Sequence, residues 1–459
     1  MTRKDILLIL RELPEDRRLQ ALAEAAEHLH PSDMAEELAA LPHAVTLDLL
    51  KFLDAETAAS LFCYFSEELQ TELFHQMDSG DAARLLQHLP SDERADFYGL
   101  LDAQARRKLL PSLEKDIRDD MLRLAAFPEE STGSATTSEY ISVLPETRVA
   151  AALKTVRAVA RGSETIYIVY VLDKEKHLLG TVSLRELLLA DDEATVESIM
   201  RRRPVSVPAS WPCSRSTELI RRYDLLALPV MDEENRMMGI ITVDDAMDIE
   251  KEQDASQLAR FGGTATADDT DLDILHSPLS AMFKVRVFWL IFLTVFGVIT
   301  SSFVAAQEEI LSKVIVLAAF IAPIVDMGGN TGSQSATLVI RAMAVGDVQL
   351  RLSDIWRVLR RELPVACALG LTVAVLEGVL AWFSKGIGLD VLITVALSMF
   401  VCTAAGGVIG LLLPFLARRM GTDPATLSSP LITSIMDLFG VFIYFAFAYL
   451  FLADLLIQA

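Results

Sequence analysis

Two groups of polar side chains recur at helical spacing inside stretches that are otherwise apolar. Asn330, Gln334, Thr337 and Arg341 follow Asp326 at +4, +8, +11 and +15, which places all five on one helical face. Ser429, Thr433, Asp437, Gly440 and Tyr444 repeat that spacing. An ionisable group at mid-bilayer costs about 2.5 to 3.5 kcal/mol on insertion scales, so it faces a cavity or a partner. Two helices with one polar stripe each can line an aqueous path. Carboxylates and amides suit a hard cation that holds its water shell, and Mg²⁺ is such an ion. No His lies at a matching depth and only Cys367 and Cys402 offer sulfur, so a soft transition metal is less favoured. Pro323, Gly328, Gly329 and Gly332 are expected to loosen the first of these helices and bare its carbonyls to the path. Gly406 and Gly410 read instead as close-packing points between helices.

The elements that must position these groups are five apolar spans, since roughly 20 apolar residues cross a hydrocarbon core as a helix. They run approximately Val285 to Ala305, Val314 to Val345, Leu363 to Phe383, Val391 to Leu416 and Pro430 to Ile457. Lys284 and Arg286 precede the first span. Arg341, Arg351, Arg357, Arg360 and Arg361 join the second to the third, and Arg418 and Arg419 join the fourth to the fifth. The opposite loops hold only Lys313 and Lys385. By the positive-inside rule the N-terminus is cytoplasmic, the C-terminus is outside, and the chain is a multi-pass protein of the cell membrane. The opening run MTRKDILLIL is too short and too quickly followed by charge for a signal peptide.

Charge divides the 459 residues in the same place. From Lys284 onward there are 11 basic and 11 acidic residues, so the whole net charge of −22 lies before it. An acidic soluble half excludes nucleic acid as a partner, because phosphates need Lys and Arg, and suits a cation. Cys63, Cys213, Cys367 and Cys402 form neither a zinc spacing nor a disulfide framework. Residues 1–128 read as an all-α helical repeat. His30, Asp54, Asp78 and Asp102 are spaced by 24, each followed by an Ala-rich helical segment, as recurring N-caps would be. The five histidines of this part are read as surface or core residues. The stretch PEESTGSATTSEY is a linker by composition. Beyond it VLDKEKHLLGTVSLRELL and VMDEENRMMGIITVDDAM align without a gap at an offset of 59, each reading as strand, acidic turn, strand and helix.

These two segments resemble a tandem cystathionine-β-synthase (CBS) pair, an α/β unit spanning 129–250 with modules at about 136–200 and 201–250. That resemblance implies adenine nucleotide binding, with ATP as the candidate, through Gly239, Thr242 and Asp245 of the second copy and Ser183 of the first, where Glu186 replaces Asp. Taken whole, MGGNTGSQSATLVIRA, DPATLSSPLITSIMDLFGVFIYF and YDLLALPVMDEENRMMGIITVDD, in this chain order around a helical repeat and CBS pair, are similar to the MgtE family of magnesium channels. The family implies a homodimer with its pore on the two-fold axis, so that two Asp437 side chains face a hydrated Mg²⁺ beside Asn330. Gly328, Gly329, Gln334, Thr337, Thr433 and Asp326 complete the expected pore set. Asp423, Asp244, Asp245, Asp248 and Glu252 are the expected regulatory Mg²⁺ contacts. One departure stands out. Where the family carries an acidic run on a connecting helix, expected over 251–276, this chain has Gln253, Asp254, Ala255, Ser256 and Gln257, leaving Glu250, Glu252 or Asp268, Asp269, Asp271 and Asp273 to supply charge.

The expected architecture is therefore a multidomain membrane protein ending in an all-α five-span domain over 277–459, and the expected function is Mg²⁺ import driven by membrane potential and regulated by cytosolic Mg²⁺. An ion-coupled divalent-cation carrier using Asp326, Asp437 and Glu377 is the alternative, though five spans contain no inverted repeat. Enzymatic activity is not expected, since neither MDLFG nor VDMGG is the environment of an intramembrane aspartyl protease. A membrane-anchored nucleotide sensor would leave both polar stripes unexplained.

Overall fold

The caps expected at 24-residue intervals are present. His30 Nδ1 accepts from Ser32 N at 3.2 Å, and Asp54 Oδ1 accepts from Glu56 N and Thr57 N at 3.1 and 3.0 Å. Asp78 Oδ1 accepts from Gly80 N and Asp81 N, both at 2.9 Å, and Asp102 Oδ1 from Ala105 N at 2.7 Å. Each occupies donors that the first helical turn leaves without partners. The structure, a computed structural model, describes residues 15–128, 130–264, 272, 277–385, 387–427 and 429–453. The expected acids Asp268, Asp269, Asp271 and Asp273 and the continuation of the fifth span to Ile457 lie outside these. The chain divides into two compact units, Met1–Lys251 and Glu252–Ala459, described here separately.

The first unit begins with α1 (Glu15–His28), α2 (Pro31–Ala39), α3 (His43–Phe52), α4 (Ala55–Cys63), α5 (Glu67–Gln76), α6 (Ser79–Leu86), α7 (Ser91–Leu100), α8 (Ala103–Leu109) and α9 (Lys115–Leu124). Their shared core includes Leu38, Leu49, Leu61, Leu73 and Leu86. A second 24-residue regularity has no sequence signature. Thr46 Oγ1, Gln70 Nε2 and Arg94 Nε donate to the carbonyls of Leu38, Phe62 and Leu86 at 3.4, 2.9 and 2.8 Å, in each case eight residues back. All three side chains are buried, and each finds its acceptor among the carbonyls at the end of a helix.

Two sheets follow. The first has order β1 (Ile141–Val143), β2 (Ile168–Leu172), β3 (Leu178–Ser183), β4 (Arg201–Arg202), and the second β5 (Val207–Pro208), β6 (Ala227–Met231), β7 (Met237–Thr242). The first pair in each is parallel and the rest antiparallel. Helices α10 (Val149–Val159), α11 (Leu184–Leu189), α12 (Val196–Ile199) and α13 (Cys213–Tyr223) complete the modules. The offset of 59 holds at the level of single bonds. Val171 faces Gly180 and Val230 faces Gly239 in register, and Lys176 and Asn235 both take positive φ, 68° and 61°, in the hairpin turn. Asp173 Oδ1 accepts from His177 N at 2.8 Å and Asp232 Oδ1 from Arg236 N at 2.8 Å. The cluster Asp173, Glu175 and His177 is therefore a hairpin lock, with Arg standing for His in the other copy.

The stretch read as a linker is itself paired with the second module: Thr137 and Ile240 exchange backbone hydrogen bonds at 2.9 Å, and Thr132 N donates to Trp211 O at 2.6 Å. Gly239 is needed for that crossing, since a Cβ there would sit 2.3 Å from Thr137 O. The helical repeat is joined to the same segment by Ser91 Oγ, which accepts from Ser138 N at 2.7 Å, and by Ser138 Oγ, which donates to Asp120 Oδ2 at 2.6 Å. Helix α14 (Val243–Phe261) then runs unbroken from the second module through Lys251 and Glu252.

In the second unit five helices are long and apolar enough to span a membrane: α15 (Leu279–Ala305), α17 (Ala318–Ala344), α18 (Leu352–Lys385), α19 (Leu389–Arg419) and α20 (Ser429–Phe451), with the short α16 (Glu308–Lys313) between the first two. Helix α17 is continuous through Pro323 and the glycines. The loosening expected there does not occur, because the glycines are used for packing. A Cβ on Gly406 would lie 2.3 Å from Gly328 O, and one on Gly410 would lie 2.0 Å from Gly332 O, so α17 and α19 touch backbone to backbone. Helix α15 leans on α20 through Phe303 and Phe442, whose ring centroids are 4.2 Å apart.

Candidate functional sites in the membrane and cytosolic parts

Helix α17 separates its motif into two faces. Thr331, Gly332, Ser335 and Ala336 are buried, and Ser335 Oγ donates to Glu362 Oε1 on α18 at 2.5 Å. Asp326, Asn330, Gln334, Thr337 and Arg341 are all exposed in the single chain, as the spacing predicts. Asn330 Nδ2 donates to Asp326 Oδ2 at 3.0 Å, which orients the carboxylate. Gly328 and Gly329, expected to line the same path, are instead buried: Gly328 lies against Cys402 Sγ and Gly329 against Thr433.

The antiparallel neighbour α20 aligns its own acid with this face. Gly329 meets Thr433 and Val325 meets Gly440, so Asp437, between those two contacts, stands at the level of Asp326. The two carboxylates act on each other electrostatically. Asp437 and Thr433 are half-buried, and Thr433 Oγ1 donates to Ser429 O at 3.0 Å. Ser429 Oγ and Ser333 Oγ are 3.1 Å apart, closing the seam between the helices. The stripe read on α20 ends at Asp437. Gly440 is buried against Cys402 and Val325, and Tyr444 is fully buried with its hydroxyl donating to Leu317 O at 2.9 Å. What faces outward is thus Asp326, Asn330 and Asp437, a set of oxygen and amide groups fit to meet the water shell of a hard cation.

The first unit holds a second acidic set. Asp92 on α7 is buried with Oδ1 lacking any hydrogen-bond partner, and burial pushes its carboxyl well up, with Asp245, Glu164 and Glu93 adding repulsion. Glu93 is pushed up to about 7 by burial, then by Asp96, Asp245, Glu164 and Asp248. Glu164 reaches about 7 by burial, then by Asp245, Glu139 and Asp244. Asp245 is raised chiefly by burial, against a 2.5 Å hydrogen bond from Thr242 Oγ1. The expected contacts Asp244, Asp245 and Asp248 are therefore met by Asp92, Glu93, Asp96 and Glu164, which sequence reading missed. Nothing local marks them: Asp92 and Glu93 stand in a first helical turn, where acids are ordinary, Asp96 follows in the same helix, and Glu164 lies in a loop. A multivalent cation is the species that relieves such crowding.

Other expected residues are otherwise engaged. Ser183 forms a capping box with Glu186, whose Oε1 also binds Arg201 Nε at 2.9 Å. Thr242 and Asp245 are bonded to each other, and Gly239 serves the strand crossing. Glu252 is exposed on α14. Asp423 caps Ala425 N at 2.9 Å and pairs with Arg260, so its carboxylate already holds a cation of the chain's own.

Known proteins resemble this chain over most of its length. A family model described as a divalent cation transporter, MgtE, matches residues 321–447, the MgtE intracellular N domain model matches 29–130, and the CBS domain model matches 133–193 and 196–252. The magnesium transporter MgtE of Thermus thermophilus is 37% identical over 336 residues, 73% of this chain and 73% of that protein. The magnesium transporter MgtE of Enterococcus faecalis is 33% identical over 337 residues, 72% of each. A crystal structure of the soluble part of a magnesium transporter superposes with a TM-score of 0.52 at 28% identity, covering 55% of this chain and 98% of that one.

Proposed function

The chain belongs to the MgtE family, and from that premise we propose that it carries Mg²⁺ into the cell as a potential-driven channel. The observation that carries this reading is the level pairing of Asp326 and Asp437 on a face left open in the single chain. A second copy related by a two-fold axis would close that face and double its carboxylates, so the working unit is a homodimer. The basic residues at 341–361 and 418–419 put the large N-terminal part in the cytoplasm and the C-terminus outside.

Regulation is assigned to the cluster of Asp92, Glu93, Glu164, Asp244, Asp245 and Asp248. Empty, these groups repel one another; cytosolic Mg²⁺ joins them and draws the helical repeat onto the CBS pair, which biases the pore towards closure. A polyphosphate at Asp245 would add negative charge to this set, so the cation and not ATP is the ligand proposed there. The residues do not suit proteolysis, since Asp326 is exposed and its carboxylate accepts from the Asn330 amide.

The test is Mg²⁺ uptake by a transport-deficient cell. Wild type restores uptake and Asp437→Ala does not; equal rescue by both would end the pore reading. The carrier alternative is separated by the reversal potential of the Mg²⁺ current, which a proton gradient shifts for a proton-coupled carrier and leaves unchanged for a channel.

A further inference from the structure

Helix α18 is longer than a membrane requires. Its 34 residues extend about 51 Å at 1.5 Å per residue, against a hydrocarbon core of about 30 Å. Its N-terminal dozen residues therefore reach into the headgroup region on the basic side of the bundle. Ile355 and Val358 pack inward on Met343, Val348, Leu411 and Phe415, which gathers the ends of α17, α18 and α19. A flanking face carries Leu352, Trp356, Leu359 and Leu363, the last three at +4, +7 and +11 from the first, one continuous stripe. Leu352 is 84% exposed and Trp356 54% exposed.

Cations surround that stripe. The Arg360 guanidinium lies over the Trp356 ring, 5.1 Å from its centroid. Arg357 is exposed and touches only Asp354, at 3.2 Å, among the described carboxylates. Arg361, Arg418 and Arg419 are exposed and form no ion pair with a described residue, while Glu362 is turned away to Ser335. Charge that merely oriented a topology would need no exposed tryptophan under an arginine and no apolar stripe beyond the hydrocarbon.

We propose that the protruding end of α18 is a binding surface for an anionic phospholipid, whose phosphate is held by Arg357 and Arg360 beside Trp356 while its upper acyl chain runs towards the bilayer along Leu359 and Leu363. A planar guanidinium offers two parallel donors to a phosphate oxygen pair, and stacking on Trp356 holds one of them in place. Tryptophan at headgroup depth and basic pockets between helix ends are the matching features of such sites. The inference rests on these helices spanning a membrane and is independent of which ion is transported.

The experiment uses the purified full-length protein, delipidated in detergent and titrated with phosphatidylglycerol or phosphatidylcholine, with bound lipid counted by native mass spectrometry. Wild type should retain phosphatidylglycerol at least fivefold over phosphatidylcholine. Arg357→Gln and Arg360→Gln should each lower that preference at least twofold, and the double variant should bring it near parity. An unselective wild type, or undiminished selectivity in both single variants, overturns the proposal. So does displacement of the lipid by millimolar inorganic phosphate, which would make the site one for free anions. Mg²⁺ uptake is scored separately, so loss of transport and loss of lipid selectivity are read independently.

Discussion

Arg260 Nη1 lies 2.9 Å from Asp423 Oδ2, joining the last turn of α14 to the turn that precedes α20 across 163 positions of sequence. Both side chains are mostly buried, at 20% and 29% exposure, so the pair is worth more than a surface bridge and its loss leaves a charge poorly solvated. Arg260→Gln and Asp423→Asn should each loosen this tie by about 1 to 2 kcal/mol and raise the cytosolic Mg²⁺ needed for half-closure. In a double-mutant cycle of patch recordings the two changes should be non-additive. Additive effects would mean that the pair is incidental.

The proposed closure by Mg²⁺ has few carboxylates to act on near that tie. Asp254 is the one acid between Gln253 and Gln257. A residual current at millimolar cytosolic Mg²⁺ is therefore expected. Complete closure in that range, in excised patches, would contradict it.

Stability should depend on pH through the cytosolic carboxylates. Glu93 and Glu164, although open to solvent, are pushed up from 4.5 to about 7 by partial loss of hydration and then by neighbouring acids, an effect that solvent screening reduces. A raised carboxyl binds more protons folded than unfolded, so its stabilising effect is present below about 4.5 and is lost as pH rises to about 7. Chelated full-length protein should accordingly melt several degrees lower at pH 7.5 than at pH 5.5. Added Mg²⁺ should restore most of that difference at pH 7.5 and change little at pH 5.5. A melting temperature insensitive to Mg²⁺ at pH 7.5 would remove the proposed cluster.

Arg94 gives a test of the helical repeat. It is buried, and it donates to Leu86 O at 2.8 Å and Leu89 O at 2.5 Å. Arg94→Met should cost about 2 to 4 kcal/mol, because two carbonyls and the nearby Glu139 lose their partner. Denaturant unfolding measures it, and a loss under about 0.5 kcal/mol would place the stability elsewhere.

The α17–α19 contact is the strictest packing constraint. Gly410→Ala places a methyl 2.0 Å from Gly332 O, which only movement of a backbone can relieve. The expected outcome is loss of the folded membrane protein, read as void-volume elution in size-exclusion chromatography. Gly297→Ala meets nothing within 4 Å and serves as the control that should elute normally.

Much of the architecture was legible because it depends on periodicity. The 24-residue caps, the offset of 59 and the open face of Asp326 to Arg341 are local patterns, and local patterns survive folding when burial enforces them. The glycines of α17 were misread because a glycine serves a loosened helix and a tight crossing equally well; the facing Gly406 and Gly410 decide between these. Gly440 and Tyr444 fit the stripe by spacing, yet α20 needs a buried side as well, and those two residues lie on it.

The sequence by itself determined the family, the five spans, the side of the membrane on which positive charge gathers, and the two acids within the spans. Tertiary structure alone decided which charges meet. Asp92, Glu93 and Glu164 come within electrostatic reach of Asp245, and Arg260 reaches Asp423, because electrostatic energy depends on distance in space, which separation along the chain does not set.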